Sequence, residues 1–179
     1  MHPSVKNCAL NGAPTEVTTT VRTLPFLPKF IDPILKGEKD LTCRTKKYGE
    51  PGDLVNSPAG VLRIMSVEKI PLKFVAEALF RREGCSSPED FIRVWEGIHP
   101  GVGFVPEQVV YCHQFEVAKR CAVCKGSGVC VECDGTGMEY VGEEQENADK
   151  DGFIICCECE GSEECIGCDG VGYEPSGWL

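Results

Sequence analysis

The sequence predicts an α+β chain, with a domain of mixed strands and helices followed by a small cysteine-rich β-hairpin module. Three observations carry this reading. Strand-period and helix-period apolar patterns alternate up to about residue 117. Nine of the 13 cysteines then crowd between Cys121 and Cys168. The charge divides at the same place: residues 120–179 hold three basic residues, Arg120, Lys125 and Lys150, against 14 acids, a net of −11. The preceding 119 residues carry 15 basic and 14 acidic residues, a net of +1. A boundary at Ala118 to Arg120 gives a first domain over 1–119 with an N-terminal extension, a module over 120–175 and a tail over 176–179.

Several classes fall away early. No apolar run approaches the roughly 20 residues that span a bilayer. Met1 to Leu10 has neither the basic start nor the apolar stretch of a secretory signal, so a cytoplasmic location with reduced thiols is expected. A P-loop, a dinucleotide fingerprint and an HExxH helix are all missing from the sequence.

In chain order, Glu16 to Thr23 is β-branched and reads as a strand, and Phe30 to Lys36 reads as a short helix entered through Asp32 and Pro33. Gly37 stands where helices end in a left-handed turn. Lys39 to Thr45 and Val61 to Val67 read as strands, and Leu72 to Arg82 as a helix burying Leu72, Val75, Ala78 and Leu79. Ser87, Pro88 and Asp90 open the clearest helix, whose stripe of Phe91, Val94, Trp95 and Ile98 belongs to a core before His99, Pro100 and Gly101 stop it. Val109 to Val117 alternates again as a closing strand, with His113 a packed core histidine. Cys8, Cys43, Cys85 and Cys112 lie among apolar neighbours and read as buried thiols.

The run from Gly37 to Arg44 (GEKDLTCR), with a short apolar helix before it and Gly52-Asp53-Leu54-Val55 after it, resembles the signature of the ASCH domain family. That resemblance, over about residues 20 to 117, implies a PUA-like ASCH β-barrel with packed helices. Thr42 stands where the common motif has an acid, and Lys39, Thr42 and Arg44 match the Lys-x-x-Thr-x-Arg spacing of the branch that hydrolyses N(4)-acetylcytidine. The same likeness implies Lys39, Thr42 and Glu83 as catalytic residues and Gly37 and Arg44 as substrate-binding ones. A threonine hydroxyl attacks an amide only if a base takes its proton, and a lysine does so once burial and a neighbouring cation lower its pKa. A carboxylic acid nearby can then protonate the departing amine. On a strand Thr42 and Arg44 share a face, so Lys39 must be swung round by the turn after Gly37. Read without the family, the same residues make a charged hairpin edge.

Four CxxC pairs follow: Cys121/Cys124, Cys130/Cys133, Cys156/Cys159 and Cys165/Cys168. Two-residue spacing lets both thiolates of one turn reach a single ion, and eight thiolates make two closed zinc sites. Three pairs continue as CxxCxGxG; the third keeps Gly161 but carries Glu163 in the second glycine's place. The repeats resemble the zinc module of DnaJ-type chaperones, with shorter spacers and no J domain. Equal spacers of five residues suit an antiparallel hairpin that nests the first pair with the fourth and the second with the third. Pairing within each arm is the alternative. Cys157 is left over, a passive neighbour of the ligands. Gly142 to Gly152 reads as a solvated loop tip inside the module.

These readings imply two zinc ions and a barrel cleft that recognises RNA or a modified nucleoside. Amidohydrolysis of N(4)-acetylcytidine is the alternative, and a second is an adaptor whose acidic module binds a basic protein partner. The small basic excess around Lys36, Lys39, Arg44, Lys46 and Lys47 argues against duplex DNA.

Overall fold

A computed structural model describes residues 22–142, 144–146 and 148–175. They fall into two compact units, 22–118 and 119–175. The expected strand at Glu16 to Thr23 lies outside the described residues except for its end, where Thr23 forms an isolated parallel bridge with Asn56. Cys8 and the 176–179 tail also lie outside them.

In the first unit a 3-10 turn, Pro28–Phe30, runs into helix α1, Ile31–Leu35, and Gly37 at φ +73° turns the chain away from it. Strand β1 is Leu41–Arg44. Strand β2, Leu54–Ser57, and strand β3, Gly60–Pro71, form a tight antiparallel hairpin. Strand β4 is Val109–Val117, and the antiparallel sheet order is β1-β4-β3-β2. The long β3 pairs with both neighbours, shifts register between Ile64 and Ser66, and curls the sheet into half a barrel. The α+β class is as the sequence predicts.

Two details differ from expectation. Strand β2 carries too short an apolar pattern to stand out, and it is fixed by pairing with β3 rather than by its own periodicity. The expected helix from Leu72 is one α-turn, α2 Leu72–Phe74, followed by a π-turn, Val75–Leu79. The wider π-turn moves the buried stripe to Leu72, Val75 and Ala76 and leaves Ala78 exposed.

Helix α3, Pro88–Ile98, starts as its sequence dictates: Ser87 Oγ accepts the Asp90 N–H at 3.1 Å, and Pro88 takes the first turn. It packs Phe91 and Trp95 into a core that includes Leu24, Ile34, Leu62, Ile64, Val110 and Phe115.

Cys43 and Cys112 correct the reading of scattered thiols. They are direct partners across β1 and β4, with Cα atoms 4.1 Å apart, and are joined by a disulfide. Register brings them together, and register cannot be read from either strand alone.

The second unit has strands β5, Met138–Tyr140, and β6, Phe153–Ile155, paired antiparallel, with the acidic loop between them. Isolated bridges Val129↔Glu164 and Arg120↔Tyr173 continue the two arms side by side towards their ends. The buried clusters of this unit consist of cysteines alone, while Val123, Val131, Ile166 and Val171 face solvent. Among the described residues no helix is long and apolar enough to cross a membrane.

Candidate metal centres and a cleft around a buried lysine

Each CxxC pair makes the same tight knuckle. The residue after the second cysteine is left-handed in all four: Lys125, Asp134, Glu160 and Asp169 have φ of 55°, 49°, 52° and 49°. The next residue, Gly126, Gly135, Gly161 or Gly170, is left-handed as well, and two positions further a third positive φ falls on Gly128, Gly137 and Gly172, and in the third repeat on Glu163 at 68°. The turns aim backbone at sulfur, with Gly128 N–H donating to Cys124 Sγ at 3.3 Å and Gly172 N–H to Cys168 Sγ at 3.2 Å. Burial opposes ionisation of Cys124, but amide donors at Gly128 and Gly126 and neighbouring thiols outweigh it and lower the pKa to about 6.

The knuckles assemble into two groups, Cys121/Cys124/Cys165/Cys168 and Cys130/Cys133/Cys156/Cys159, each with its four sulfurs within 4.8 Å of one another. Zinc holds thiolates at about 2.3 Å in a tetrahedron, so ligand sulfurs should stand about 3.8 Å apart. Cys121 and Cys165 are separated by 4.0 Å, Cys124 and Cys168 by 3.6 Å, Cys130 and Cys156 by 3.9 Å, and Cys133 and Cys159 by 3.7 Å. The donor set and its dimensions both fit, and each group could hold one zinc ion. The grouping is the nested one, since Cys121 and Cys130 belong to different cages. Glycine is required where repeats one and four touch: a Cβ on Gly128 would lie 2.2 Å from the Gly170 carbonyl oxygen. Cys157 belongs to neither cage, and its N–H donates to the Glu139 carboxylate at 3.2 Å.

In the first unit the turn at Gly37 does swing Lys39 inward. Its side chain is buried, and Nζ donates to Leu41 O and Glu83 O at 2.7 Å and to Glu83 Oε2 at 2.6 Å. Three acceptors match the three N–H bonds of an ammonium, and a neutral amine would leave one of them facing a lone pair. Burial pulls the pKa below the ordinary lysine value, the Glu83 carboxylate opposes this, and the Arg44 guanidinium adds to it. Glu83 Oε1 accepts the Cys43 N–H at 2.5 Å. Arg82 beside it grips Asp40 with two nitrogens, the closest contact 2.7 Å, so the 82–83 segment is tied to the start of β1.

Thr42 is fully buried opposite His113, and its Oγ1 has no hydrogen-bond partner among the described residues. His113 Nε2 accepts the Tyr48 N–H at 3.0 Å, which places the ring proton of the neutral form on Nδ1. Burial lowers the His113 pKa, as suits a core histidine. Arg44 donates to Pro25 O at 2.6 Å and Cys43 O at 3.2 Å and lies 5.4 Å over the Phe26 ring. Lys39, Thr42, Arg44 and Glu83 thus form one polar end of a cavity of about 460 Å³, and Phe26, Phe30, Phe91 and Trp95 wall its apolar side. Gly37 is absent from the lining and acts as the hinge of the turn.

Sequence reasoning assigned Trp95 to the core and did not single out His99. Both line the cavity, with their rings stacked at 4.1 Å, and Cys85 lines it as well. The one available signal was their i, i+4 spacing on α3. The Cys85 thiol is pushed up to about 11, chiefly by burial, with Asp90 and Glu83 adding to the effect, which favours the protonated thiol near neutral pH.

No family model matches the chain. Comparison with curated proteins likewise finds no match. Among solved structures the chain is similar to protein EF3133 of Enterococcus faecalis V583, described as DUF984, at 17% identity and a TM-score of 0.45 over 56% of this chain and 82% of that one. It is similar to the ASCH domain from Lactobacillus crispatus JV V101 at 22% identity and a TM-score of 0.36, over 49% of this chain and 69% of that one. Protein PF0455 of Pyrococcus furiosus aligns at 18% identity and a TM-score of 0.42, over 54% of this chain and 96% of that one.

Proposed function

We propose that the chain is a zinc-binding ASCH-type protein whose cleft recognises RNA or a modified nucleoside. The observation that carries this is the composition of the cavity: aromatic walls suited to a planar base, closed at one end by Lys39, Thr42, Arg44 and Glu83. Lys39 is engaged with three acceptors, which favours an ordered binding site over a free base. Titration of the zinc-loaded protein with N(4)-acetylcytidine and with short single-stranded RNA tests the reading. Saturable binding that is lost when Arg44 is replaced by Ala is expected, and absence of binding to both ligands at millimolar concentration rejects it.

A second reading, amidohydrolysis of N(4)-acetylcytidine, is favoured by the unpartnered Thr42 hydroxyl beside the Lys39 and Glu83 pair. Substrate would have to displace one Lys39 acceptor before the amine could take the Thr42 proton. Wild type should then release acetate, and Thr42→Ala should lose at least about a hundredfold in rate while still binding. A wild type that binds without releasing acetate leaves recognition as the function.

A further inference from the structure

Two polar groups in the cavity wall are buried with no partner among the described residues: Thr42 Oγ1 on β1 and Trp95 Nε1 on α3. Each is costly to leave unsatisfied, because a buried donor or acceptor loses its hydration and gains nothing in return. Trp95 is 2% exposed, and its indole is held on two sides, with the His99 ring stacked at 4.1 Å and the Phe91 ring centred 6.1 Å away. The His99 Nδ1 contact to the Trp95 carbonyl oxygen at 3.0 Å fixes that ring over the indole. The indole is therefore rigid, and its N–H is a donor only.

The charged groups at the buried end are already engaged, whereas Lys46, which also lines the cavity, is exposed. Lys39 is neutralised by Glu83, and Arg44 donates to two backbone carbonyls. A phosphate at this buried end would meet the Glu83 carboxylate that already holds Lys39, whereas an uncharged ring meets no like charge there. We infer that Trp95 is the ligand-reading donor of the cleft, and that the cleft selects an uncharged planar heterocycle bearing a carbonyl acceptor, placed between the indole N–H and the Thr42 hydroxyl. The inference rests on the nucleoside-cleft reading and adds to it both the chemical class of the ligand and the residue that recognises it.

The chain has two tryptophans, Trp95 and Trp178, so the indole N–H signals in a proton–nitrogen NMR spectrum of the zinc-loaded full chain are two, and Trp178→Phe, which leaves only the Trp95 signal, assigns them. Titration with N(4)-acetylcytidine should move the Trp95 indole signal downfield, and Trp95→Phe, which keeps an aromatic ring and removes the donor, should weaken binding about tenfold. Binding undiminished in Trp95→Phe overturns the inference and leaves the nucleoside reading standing. If N(4)-acetylcytidine and short single-stranded RNA both fail to bind but the small carbonyl heterocycle 2-pyridone moves the same signal, the RNA or nucleoside reading fails and Trp95 as the reading donor for a carbonyl heterocycle stands. A Trp95 signal that moves with neither probe overturns the inference. The wild-type signal decides the matter even if Trp95→Phe does not fold.

Discussion

Lys39 is held by geometry that its sequence position alone does not suggest. A strand would point it away from Thr42, and the turn at Gly37 brings it back beneath the sheet. The ammonium meets a carboxylate there, and burial, with the Arg44 guanidinium adding to it, still pulls the pKa below the ordinary lysine value. Removing one partner is nonetheless worse than keeping both, since Lys39→Met leaves the Glu83 carboxylate buried. A loss of about 3–5 kcal/mol is expected, and the Lys39→Met/Glu83→Gln double variant should recover part of it in denaturant unfolding. The pH dependence follows from the direction of the shift. Between the lowered folded value and the ordinary 10.5 the unfolded chain binds more protons at Lys39, so stability rises with pH there. Lys39→Met should flatten that rise. Glu83 was legible only through family likeness, because 44 residues separate it from Lys39 and nothing local marks the pair. Thr42 and Arg44 likewise stood out only through the motif spacing shared with that family, whereas Trp95 was hidden behind an ordinary core stripe.

Among the elements, β1 is short and carries much of the polar end of the site. Four residues of β1 supply Thr42 and Arg44 to the cavity, the Cys43 N–H to Glu83, and the Cys43 thiol to β4. The disulfide closes a sequence separation of 69 residues, which in the chain-entropy account stabilises the fold by about 4 kcal/mol. Cys43→Ala/Cys112→Ala should therefore melt earlier than wild type, and adding a phosphine reductant should lower the wild-type midpoint while leaving that of the double variant in place. A midpoint indifferent to reductant in both would show that the bond contributes nothing to the first unit. Long elements with strong periodicity, α3 and β4, were readable directly, down to the Ser87 cap. Strand β2 and the π-turn were not, because pairing and packing decide them rather than local pattern. In the cysteine module the repeat itself was the signal, and Glu163 shows its strength: the knuckle keeps its left-handed φ even where glycine is missing.

At the scale of the whole molecule, two units of different physics share one chain. Residues 22–118 bury an aliphatic and aromatic core of their own, so their stability has an ordinary hydrophobic source. Among the described residues of 119–175 the only buried hydrophobic side chains are cysteines, and the valines and isoleucines stay exposed or half-buried. Burial on that scale cannot offset the entropy of ordering more than fifty residues, and zinc bound in the two cages would supply the missing free energy beside the disulfide at Cys157. The sequence made this readable, since cysteine spacing is itself a metal geometry. Freshly purified protein should carry two zinc ions per chain by elemental analysis. A strong chelator should strip amide-exchange protection from 119–175 and leave β3 and β4 protected, because no cysteine of either cage belongs to the first unit's core. The cages also predict which losses are shared. Cys121→Ser and Cys165→Ser act on the same ion, so combining them costs little beyond either alone, whereas Cys121→Ser with Cys130→Ser damages both cages and should release both ions in native mass spectra. Fewer than one zinc per chain, or a chelated chain that keeps full protection in 119–175, would mean that something other than metal holds the module.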